Sequence, residues 1–407
     1  MNKITKENAR ITRTPSKRRK TSSKKFVFDV GREKSKSICL VKSLAYILIK
    51  RTEKKYANFR HKILQMTTPT VSELYLACRN GDMDTVQRLV PRTKPKDLNR
   101  LESNGSTCLH AASYHGHKDI VRYLLSHGAS RRVVNHYGCT PLDEAKTQEI
   151  ADLFPRTNEE AHKRFSDTNS RQLEWQFLKG NAEDYARAVH WNCVKDRGVK
   201  KTVNKLFKAR LLEGDDEKSA ELVEYFFDKA EAENNPIWLL RAYTVESQFY
   251  RQLNREMATG NDRQVYKKLC KGWTGYYTGI ILRNAAFEPY RYAGETYRGM
   301  EVTPEEFEKY KVNQVLTNKS FQSTSKSWKI AKSFACPDKP SIGKLSVIII
   351  LSITDRRSAL SIETISEFQT EQEVLIAPGT LFIVKSIDHN RTPCEIELLQ
   401  LAWTNEF

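Results

Sequence analysis

Apolar residues recur at three- and four-residue intervals through the middle of the chain and in continuous runs near its end. The first pattern is typical of amphipathic helices and the second of buried strands. Helical spacing covers residues 237–257 and again 263–282. A run over 345–353, and two runs over 380–387 and 394–401 separated by a turn, predict strands. Helices first and strands later predict an α+β fold.

Residues 70–156 contain a repeat with a period of 33 residues. The copy that begins at Gly105 is followed by one that begins at Gly138, and a third copy precedes them from Glu73. The segment resembles ankyrin repeats, which have this period. The resemblance implies a small stack of paired helices with a protein-binding surface, since about three repeats are needed to bury a continuous core.

The repeats depart from the ankyrin pattern at two turns. Cys108 stands where the pattern has proline and Asp143 where it has histidine, so we expect these turns to be looser. Four histidines lie near the turns: His110, His115, His117 and His136. They could suggest a metal site, but ankyrin turns use histidine as a hydrogen-bonding residue, and we expect that role here.

Residues 157–235 have helical spacing without a chemical signature. Trp175 and Leu178, with Phe177 beside them, mark one predicted apolar helix face. We interpret the segment as a helical connector that leads into a last domain over residues 236–403. The alternative is that it forms the leading part of that domain.

The positive charge is concentrated at the N terminus. The chain carries a net charge of +19, and residues 1–65 hold 20 Lys and Arg against 4 Asp and Glu, which leaves 48 against 45 elsewhere. This leader is predicted to be disordered. Its basic run over residues 17–20 is read as a solvated tail in preference to a nuclear import address. Met66 offers an alternative start, without the leader. Because the remainder is nearly neutral, nucleic acid is not expected as the main partner.

The chain has no predicted membrane span or secretory signal. The longest apolar run, over residues 38–49, has 12 residues and contains Lys42, whereas a span needs roughly 18. It also begins too far from the N terminus for a signal peptide. The eight cysteines show no paired metal spacing, so free thiols are favoured over a Cys270–Cys394 bridge. A cytoplasmic or nuclear location is expected.

Three short motifs follow one another in the last third of the chain: Tyr297–Gly299, Ser323–Ser325 and Glu371–Glu373. With their flanking residues they resemble the arginine-specific mono-ADP-ribosyltransferases of the Arg-Ser-Glu class, over about residues 236–403. The resemblance implies helices packed on a β-sandwich, NAD as co-substrate and no metal. It also implies transfer of ADP-ribose to an arginine of a target protein, with release of nicotinamide.

The two glutamates are the candidates for the chemistry. If they lie in one strand, Glu371 and Glu373 point from the same face, because side chains alternate along a strand. Cleavage of NAD passes through an oxocarbenium-like transition state, which an adjacent carboxylate stabilises. By resemblance, Glu373 is the catalytic glutamate. Glu371 would position the acceptor arginine and accept its proton.

The remaining motif residues are expected to hold NAD and the acceptor. Arg298 can bind the dinucleotide phosphate, and Gly299 would let the nicotinamide amide approach the backbone. By resemblance, Ser323 orients the ribose and the catalytic glutamate. The hydroxyls of Thr324 and its neighbour Ser325 are expected to hold the strand end and the start of a helix over 327–335, and Thr324 is also a candidate for NAD binding.

The loop before the glutamates is expected to contact the substrate through Phe368 and Gln369, and the Phe368 ring is available to stack on a guanidinium. The sequence leaves two alternative functions open. One is an NAD glycohydrolase, in which water replaces arginine. The other is a noncatalytic ankyrin scaffold whose last domain is inactive.

Overall fold

The protein is described by a computed structural model that covers residues 71–156, 175–179, 194–259, 271–337 and 340–401. Thr70–Phe407 form one compact unit. The predicted leader, with its basic and apolar runs and Met66, lies outside the described residues, as do Cys270 and the first part of the predicted helix over 263–282. Cys394 is a free thiol.

The ankyrin segment folds as the repeat predicts, into short helices that pack on one another. Its core is formed by side chains such as Leu109, Ala112 and Val121, which are at most 2% exposed. The helices are α1 (Glu73–Asn80), α2 (Met83–Leu89), α3 (Pro95–Leu98), α4 (Cys108–His115), α5 (Lys118–Ser126) and α6 (Gln148–Ala151).

The turns of the stack are fixed by hydrogen bonds. Thr107 caps α4 in a capping box with His110, whose other ring nitrogen bonds the Cys139 carbonyl at 3.0 Å. Burial lowers the pKa of His110, so the neutral ring that makes these bonds is favoured. His117 bonds the Arg79 carbonyl at 2.9 Å. The predicted hydrogen-bonding role is therefore confirmed at both histidines.

Asp143 takes over the role of the histidine that the ankyrin pattern has at its position. Its carboxylate accepts hydrogen bonds from the Thr140 backbone N–H at 2.8 Å and from the Thr140 hydroxyl at 2.7 Å. The segment around them forms a turn rather than a helix. Asp143 thus keeps the hydrogen bonds to Thr140, although the residues around it do not form the regular helix of an ankyrin repeat.

A second group of helices shares one apolar core. Phe226, Phe227, Tyr243, Phe249 and Tyr277 are each at most 1% exposed within it. Since the core joins helices on both sides of residue 235, the end of the connector packs with the helices that follow. The helices are α7 (Val199–Phe207), α8 (Glu217–Glu233), α9 (Ile237–Thr244), α10 (Gln248–Ala258) and α11 (Trp273–Arg283).

The single helix predicted over 237–257 is wrong, because the structure divides it into α9 and α10. Thr244 bonds the Arg241 carbonyl through its hydroxyl, and Val245 is extended with ψ at 140°. The N–H of Gln248, at the start of α10, is bonded at 2.6 Å by the carboxylate of Asp215 from another segment. This tertiary cap starts a new helix and leaves Glu246 in the loop between the two.

The cap predicts a pH-dependent stability. Burial raises the pKa of Asp215 to about 6. The folded-state pKa lies above the unfolded one, so the protonated Asp215 carboxyl stabilises the folded state at low pH. This contribution to the free energy of unfolding is lost as the carboxyl ionises and the pH rises through 6. Asp215→Asn keeps the acceptor oxygen without the charge. The substitution should raise the free energy of unfolding by about 1 kcal/mol at pH 7.5, a value reduced from the full pKa shift because the side chain is partly exposed to solvent.

This gain in the free energy of unfolding should shrink as the pH falls towards 4.5. Urea unfolding at several pH values measures it. Glu308→Gln, at an exposed position, is the control. A gain that does not change with pH would rule out desolvation of the Asp215 carboxylate as its cause.

The strands of the described residues form one mixed sheet. They are β1 (Trp175–Phe177), β2 (Gly294–Val302), β3 (Val315–Asn318), β4 (Gln322–Ser325), β5 (Leu345–Ile353), β6 (Ala359–Ser361), β7 (Glu373–Ile376), β8 (Leu381–Asp388) and β9 (Cys394–Gln400). Their order in the sheet is β1-β3-β8-β9-β5-β2-β4-β7-β6. The predicted strands and the hairpin of β8 and β9 are confirmed, as is the α+β class.

The helix face predicted at Trp175 is wrong, because this segment is β1. It pairs antiparallel with β3, and Trp175 packs edge-on against Phe382 with ring centroids 6.0 Å apart. Strand pairing has decided the conformation of a short apolar segment that periodicity alone leaves ambiguous.

The sheet is nearly divided between β2 and β4, which share one residue pair, Tyr297 with Ser325. Apolar side chains from both parts, such as Ile349 and Val374, are buried in one core, as in a sandwich. A short helix α12 (Pro304–Phe307) follows β2, and α13 (Trp328–Ala335) follows β4. None of the helices in the described part of the chain is long and apolar enough to cross a membrane.

Candidate active site

The three sequence motifs meet at the division of the sheet. Tyr297 on β2 pairs with Ser325 on β4, and Ser325 pairs in turn with Glu373 on β7. The cleft between these strands is lined by Tyr297, Arg298, Gly299, Ser323, Thr324, Ser325, Phe334, Glu371 and Glu373. It encloses about 10 Å³, room for about one water molecule.

The two glutamates reach the same cleft by a route that the strand argument did not foresee. Glu371 ends a 3-10 turn, and Gln372 is left-handed with φ at 49°. Only Glu373 lies in the strand. The expectation that both lie on one face of a strand is therefore wrong, although both carboxylates line the same cleft. They are 8% and 2% exposed.

Hydroxyl groups of β4 hold the turn in place. Ser325 donates to the Glu371 carbonyl at 2.7 Å and accepts from the Ser327 N–H at the start of α13. Thr324 donates to the Val374 carbonyl at 2.8 Å. The prediction that these two hydroxyls hold the strand end and the next helix is confirmed. Thr324 also lines the cleft, and its contact with NAD stays a prediction.

Arg298 links the two parts of the sheet. It is 6% exposed, and its Nη1 donates to the Ser323 carbonyl at 2.7 Å. This bond supports β4 where regular pairing with β2 ends, and it sets the backbone of Ser323 at the wall of the cleft. Binding of a phosphate by Arg298 stays a prediction.

Gly299 has a structural requirement that its sequence context did not indicate. A Cβ atom here would lie 1.7 Å from the Ala331 carbonyl oxygen and 2.8 Å from the Ala335 nitrogen. The backbone of α13 thus packs directly against β2, and this contact forms the floor beneath the motif residues.

Gly299→Ala should therefore force α13 away from the sheet. Overpacking against backbone has no easy relief, so we expect a loss of at least about 3 kcal/mol in the free energy of unfolding. Urea denaturation measures it. Gly343→Ala is the control, because an added Cβ there meets no atom within 4 Å, so that its cost is limited to the backbone strain of a positive φ. Equal losses in the two variants would contradict the packing argument.

Phe368 is buried beneath arginine side chains of its own chain. The ring is 3% exposed, and the Cζ atoms of Arg156 and Arg131 lie 3.8 Å and 4.6 Å from its centroid. Gln369 is half-buried and begins the turn that ends at Glu371. The predicted ability of Phe368 to stack on a guanidinium is thus realised within the molecule, while its contact with a substrate stays a prediction.

Sequence reasoning missed Arg156, which follows the last ankyrin helix. Its Nε donates to Glu371 Oε1 at 2.9 Å and its Nη1 to Glu246 Oε2 at 2.5 Å. The side chain is 1% exposed. No local pattern marks it, since its partners lie 90 and 215 residues away along the chain. Glu246 was assigned no role from the sequence, where it falls within the single helix predicted over 237–257.

The ankyrin segment is also joined to the loop before the glutamates through Glu367. This carboxylate is 3% exposed and accepts hydrogen bonds from the Ser130 hydroxyl and the Arg131 N–H, both at 2.8 Å. Arg132 donates to the Thr364 carbonyl at 3.0 Å. The repeats are thus in direct contact with the candidate active site.

Comparison with known proteins gives two family matches. Residues 74–156 match ankyrin repeats in three copies, and residues 284–402 match the ADP-ribosyltransferase exoenzyme family. Among curated relatives, rat diacylglycerol kinase zeta is 32% identical over 80 residues, or 20% of this chain. Mouse oxysterol-binding protein-related protein 1 is 32% identical over 103 residues, or 25% of this chain. The alignments span only 9% and 11% of those two proteins.

Solved structures of similar proteins include two bacterial ADP-ribosyltransferases. The Vis toxin of Vibrio splendidus is 22% identical with a TM-score of 0.32, covering 46% of this chain and 86% of that one. HopU1 of Pseudomonas syringae is 13% identical with a TM-score of 0.38, covering 51% of this chain and all of that one.

Proposed function

We propose that this chain, which joins ankyrin repeats to an ADP-ribosyltransferase exoenzyme domain, transfers ADP-ribose from NAD to an arginine of a target protein. The observation that supports the proposal most is that Arg298, Ser323, Glu371 and Glu373 line one cleft. They come from three segments, and together they provide the charges and donors that the reaction requires.

Glu373 is assigned to the bond cleavage. The bond between nicotinamide and ribose breaks with its electron pair leaving on nicotinamide, and positive charge develops on the ribose. A buried carboxylate beside that carbon stabilises the charge far more than it would in water. Glu373 is 2% exposed, so its charge acts in a medium with little screening.

Glu371 is assigned to the acceptor. An arginine is protonated at neutral pH and is a poor nucleophile. A carboxylate that bonds the guanidinium orients it and takes its proton as the new carbon–nitrogen bond forms. The Glu371 side chain already bonds a guanidinium, that of Arg156, at 2.9 Å. The site therefore has the chemistry to hold an acceptor arginine.

The other motif residues are assigned to NAD itself. Arg298 offers paired donors to phosphate oxygens, and the hydroxyls of Ser323 and Thr324 suit the ribose. The absent side chain of Gly299 lets the backbone approach the nicotinamide amide. These donors fit a dinucleotide with two phosphates and two sugars. They line one cleft.

The ankyrin repeats are assigned to recognition of the target protein. Four large apolar side chains on them are exposed, namely Leu76 at 42%, Tyr114 at 63%, Val134 at 48% and Tyr137 at 74%. Aromatic residues at such positions are typical of protein-binding surfaces. We propose that this face selects the protein that is modified.

Hydrolysis of NAD is the second candidate activity, and Arg156 supports it. The Glu371 oxygen that bonds Arg156 is not free to bond an external arginine, whereas attack by water on the ribose cation needs no guanidinium partner. Both activities release nicotinamide, so release alone does not separate them.

The proposal is tested by incubating the purified chain with NAD labelled in the adenosine part and an arginine-containing peptide. Label on the peptide together with free nicotinamide is the expected result. Free nicotinamide without label on any arginine would support the glycohydrolase. The absence of both would leave only a noncatalytic ankyrin protein.

A further inference from the structure

Arg156 makes the contacts that an acceptor arginine needs. Its guanidinium bonds Glu371, the proposed acceptor carboxylate, and lies on the Phe368 ring, the proposed stacking residue. A second carboxylate, Glu246, bonds its Nη1. A target arginine could not form the same bonds at the same time, because the site is filled and the Arg156 side chain is 1% exposed.

The ankyrin segment, which ends at Arg156, also contacts the loop before Glu371. Ser130 and Arg131 bond the Glu367 carboxylate, and Arg132 bonds the Thr364 carbonyl. These contacts all fall on residues 364–371, the loop proposed to meet the substrate. Docking of the repeats and insertion of Arg156 are therefore parts of one contact.

The contact between the repeats and the loop is polar and has a pocket beside it. Across it, a cavity of about 310 Å³ is bordered on one side by Gly128 and Arg131 and on the other by Glu246 and Phe368. Polar contacts of this kind are typical of interfaces between domains that move relative to one another.

Withdrawal of Arg156 would remove the ion-pair partner of Glu371 but would leave Glu246 with other partners. Glu246 keeps two partners, since its Oε1 accepts from Arg251 at 2.6 Å and from the Tyr250 hydroxyl at 2.8 Å. Glu371 loses its guanidinium, and an incoming arginine replaces it without a change in net charge. The exchange of one arginine for another is thus electrostatically matched.

We infer that Arg156 is an internal inhibitor: it occupies the acceptor site and blocks transfer to target proteins while the ankyrin repeats are docked. A partner protein that draws the repeats away removes Arg156 and opens the site. The inference rests on the proposed function, because it concerns the acceptor site of that reaction. It makes the ankyrin segment a regulator of the enzyme as well as its targeting surface.

The first test is Arg156→Ala with agmatine, a small guanidine, as the acceptor. If Arg156 fills the site about nine-tenths of the time, removing it should lower the KM for agmatine about tenfold. Agmatine should also raise the melting temperature of the variant more than that of the wild type. Arg122→Ala is the matched control, because that arginine of the same repeats is exposed and pairs only with Asp119 among the ion pairs described.

A second variant keeps the test valid if Arg156→Ala does not fold. Arg132→Glu retains Arg156 but places a like charge near Glu367, which should loosen the docked repeats. We expect a lower KM for agmatine, by about threefold or more if the docked fraction falls by that factor. Nicotinamide release without acceptor is measured in parallel, since it reports whether the NAD site is formed.

Three results would overturn the inference. An unchanged KM and an unchanged thermal response in both variants would mean that Arg156 does not compete with the acceptor. A lower kcat at constant KM would make it a positioning residue for Glu371. ADP-ribose mapped onto Arg156 would make it an acceptor. By contrast, no nicotinamide release from the wild type or either variant would contradict the proposed function itself.

Discussion

Glu373→Gln should reduce nicotinamide release by about a thousandfold, with or without an acceptor. The substitution keeps the shape and the oxygen acceptor but removes the charge that stabilises the ribose cation. Loss of one such interaction in a buried site costs a factor of about 10² to 10³, and Glu373 is among the most buried carboxylates near the cleft, at 2% exposure. Initial rates from released nicotinamide, at saturating NAD, measure the effect.

The control for this variant is Glu305→Gln, at an exposed position away from the cleft residues. Unfolding curves of both proteins establish that Glu373→Gln remains folded. A folded Glu373→Gln protein that releases nicotinamide at the wild-type rate would remove Glu373 from the reaction, and with it the main support for an active transferase.

Glu371→Gln should separate the two halves of the reaction. Transfer to agmatine or to an arginine peptide should fall by a factor of about 10² or more, because general-base catalysis contributes about that much. Nicotinamide release without an acceptor should persist, since water needs no guanidinium partner. Label transfer and nicotinamide release are measured on the same samples, so their ratio does not depend on the active fraction.

Glu363→Gln serves as the comparison for this second variant. The Glu363 carboxylate lies near the same loop. It pairs with Lys326 and does not line the cleft. Equal loss of transfer and hydrolysis in Glu371→Gln would show that Glu371 acts on NAD cleavage itself, and the assignment of the two glutamates would have to be revised.

Ordered motifs and periodicity were enough to predict much of this chain. The 33-residue period determined the ankyrin stack, because each repeat carries its own caps and apolar face, as at Thr107 and His110. The continuous apolar runs predicted β5, β8 and β9. The order of the three motifs matched that of the arginine-specific ADP-ribosyltransferases, and this resemblance implied a common site.

The errors arose where distant residues decide the local conformation. Trp175 became a strand residue because β3 offered pairing, and the helix predicted over 237–257 broke because Asp215 caps the second part of it. Glu371 entered the cleft through a left-handed turn at Gln372, a conformation that periodicity does not predict. In each case the deciding contact is remote in sequence.

The sequence by itself determined the ankyrin repeats and the α+β class, because these depend on local spacing, and its resemblance to a known family supplied the residues of the candidate site. Only the tertiary structure decided that Arg156 bonds Glu371 and that Gly299 lies against the backbone of α13. Both depend on segments that approach one another through packing, and a buried ion pair or a backbone contact leaves no periodic trace in either segment.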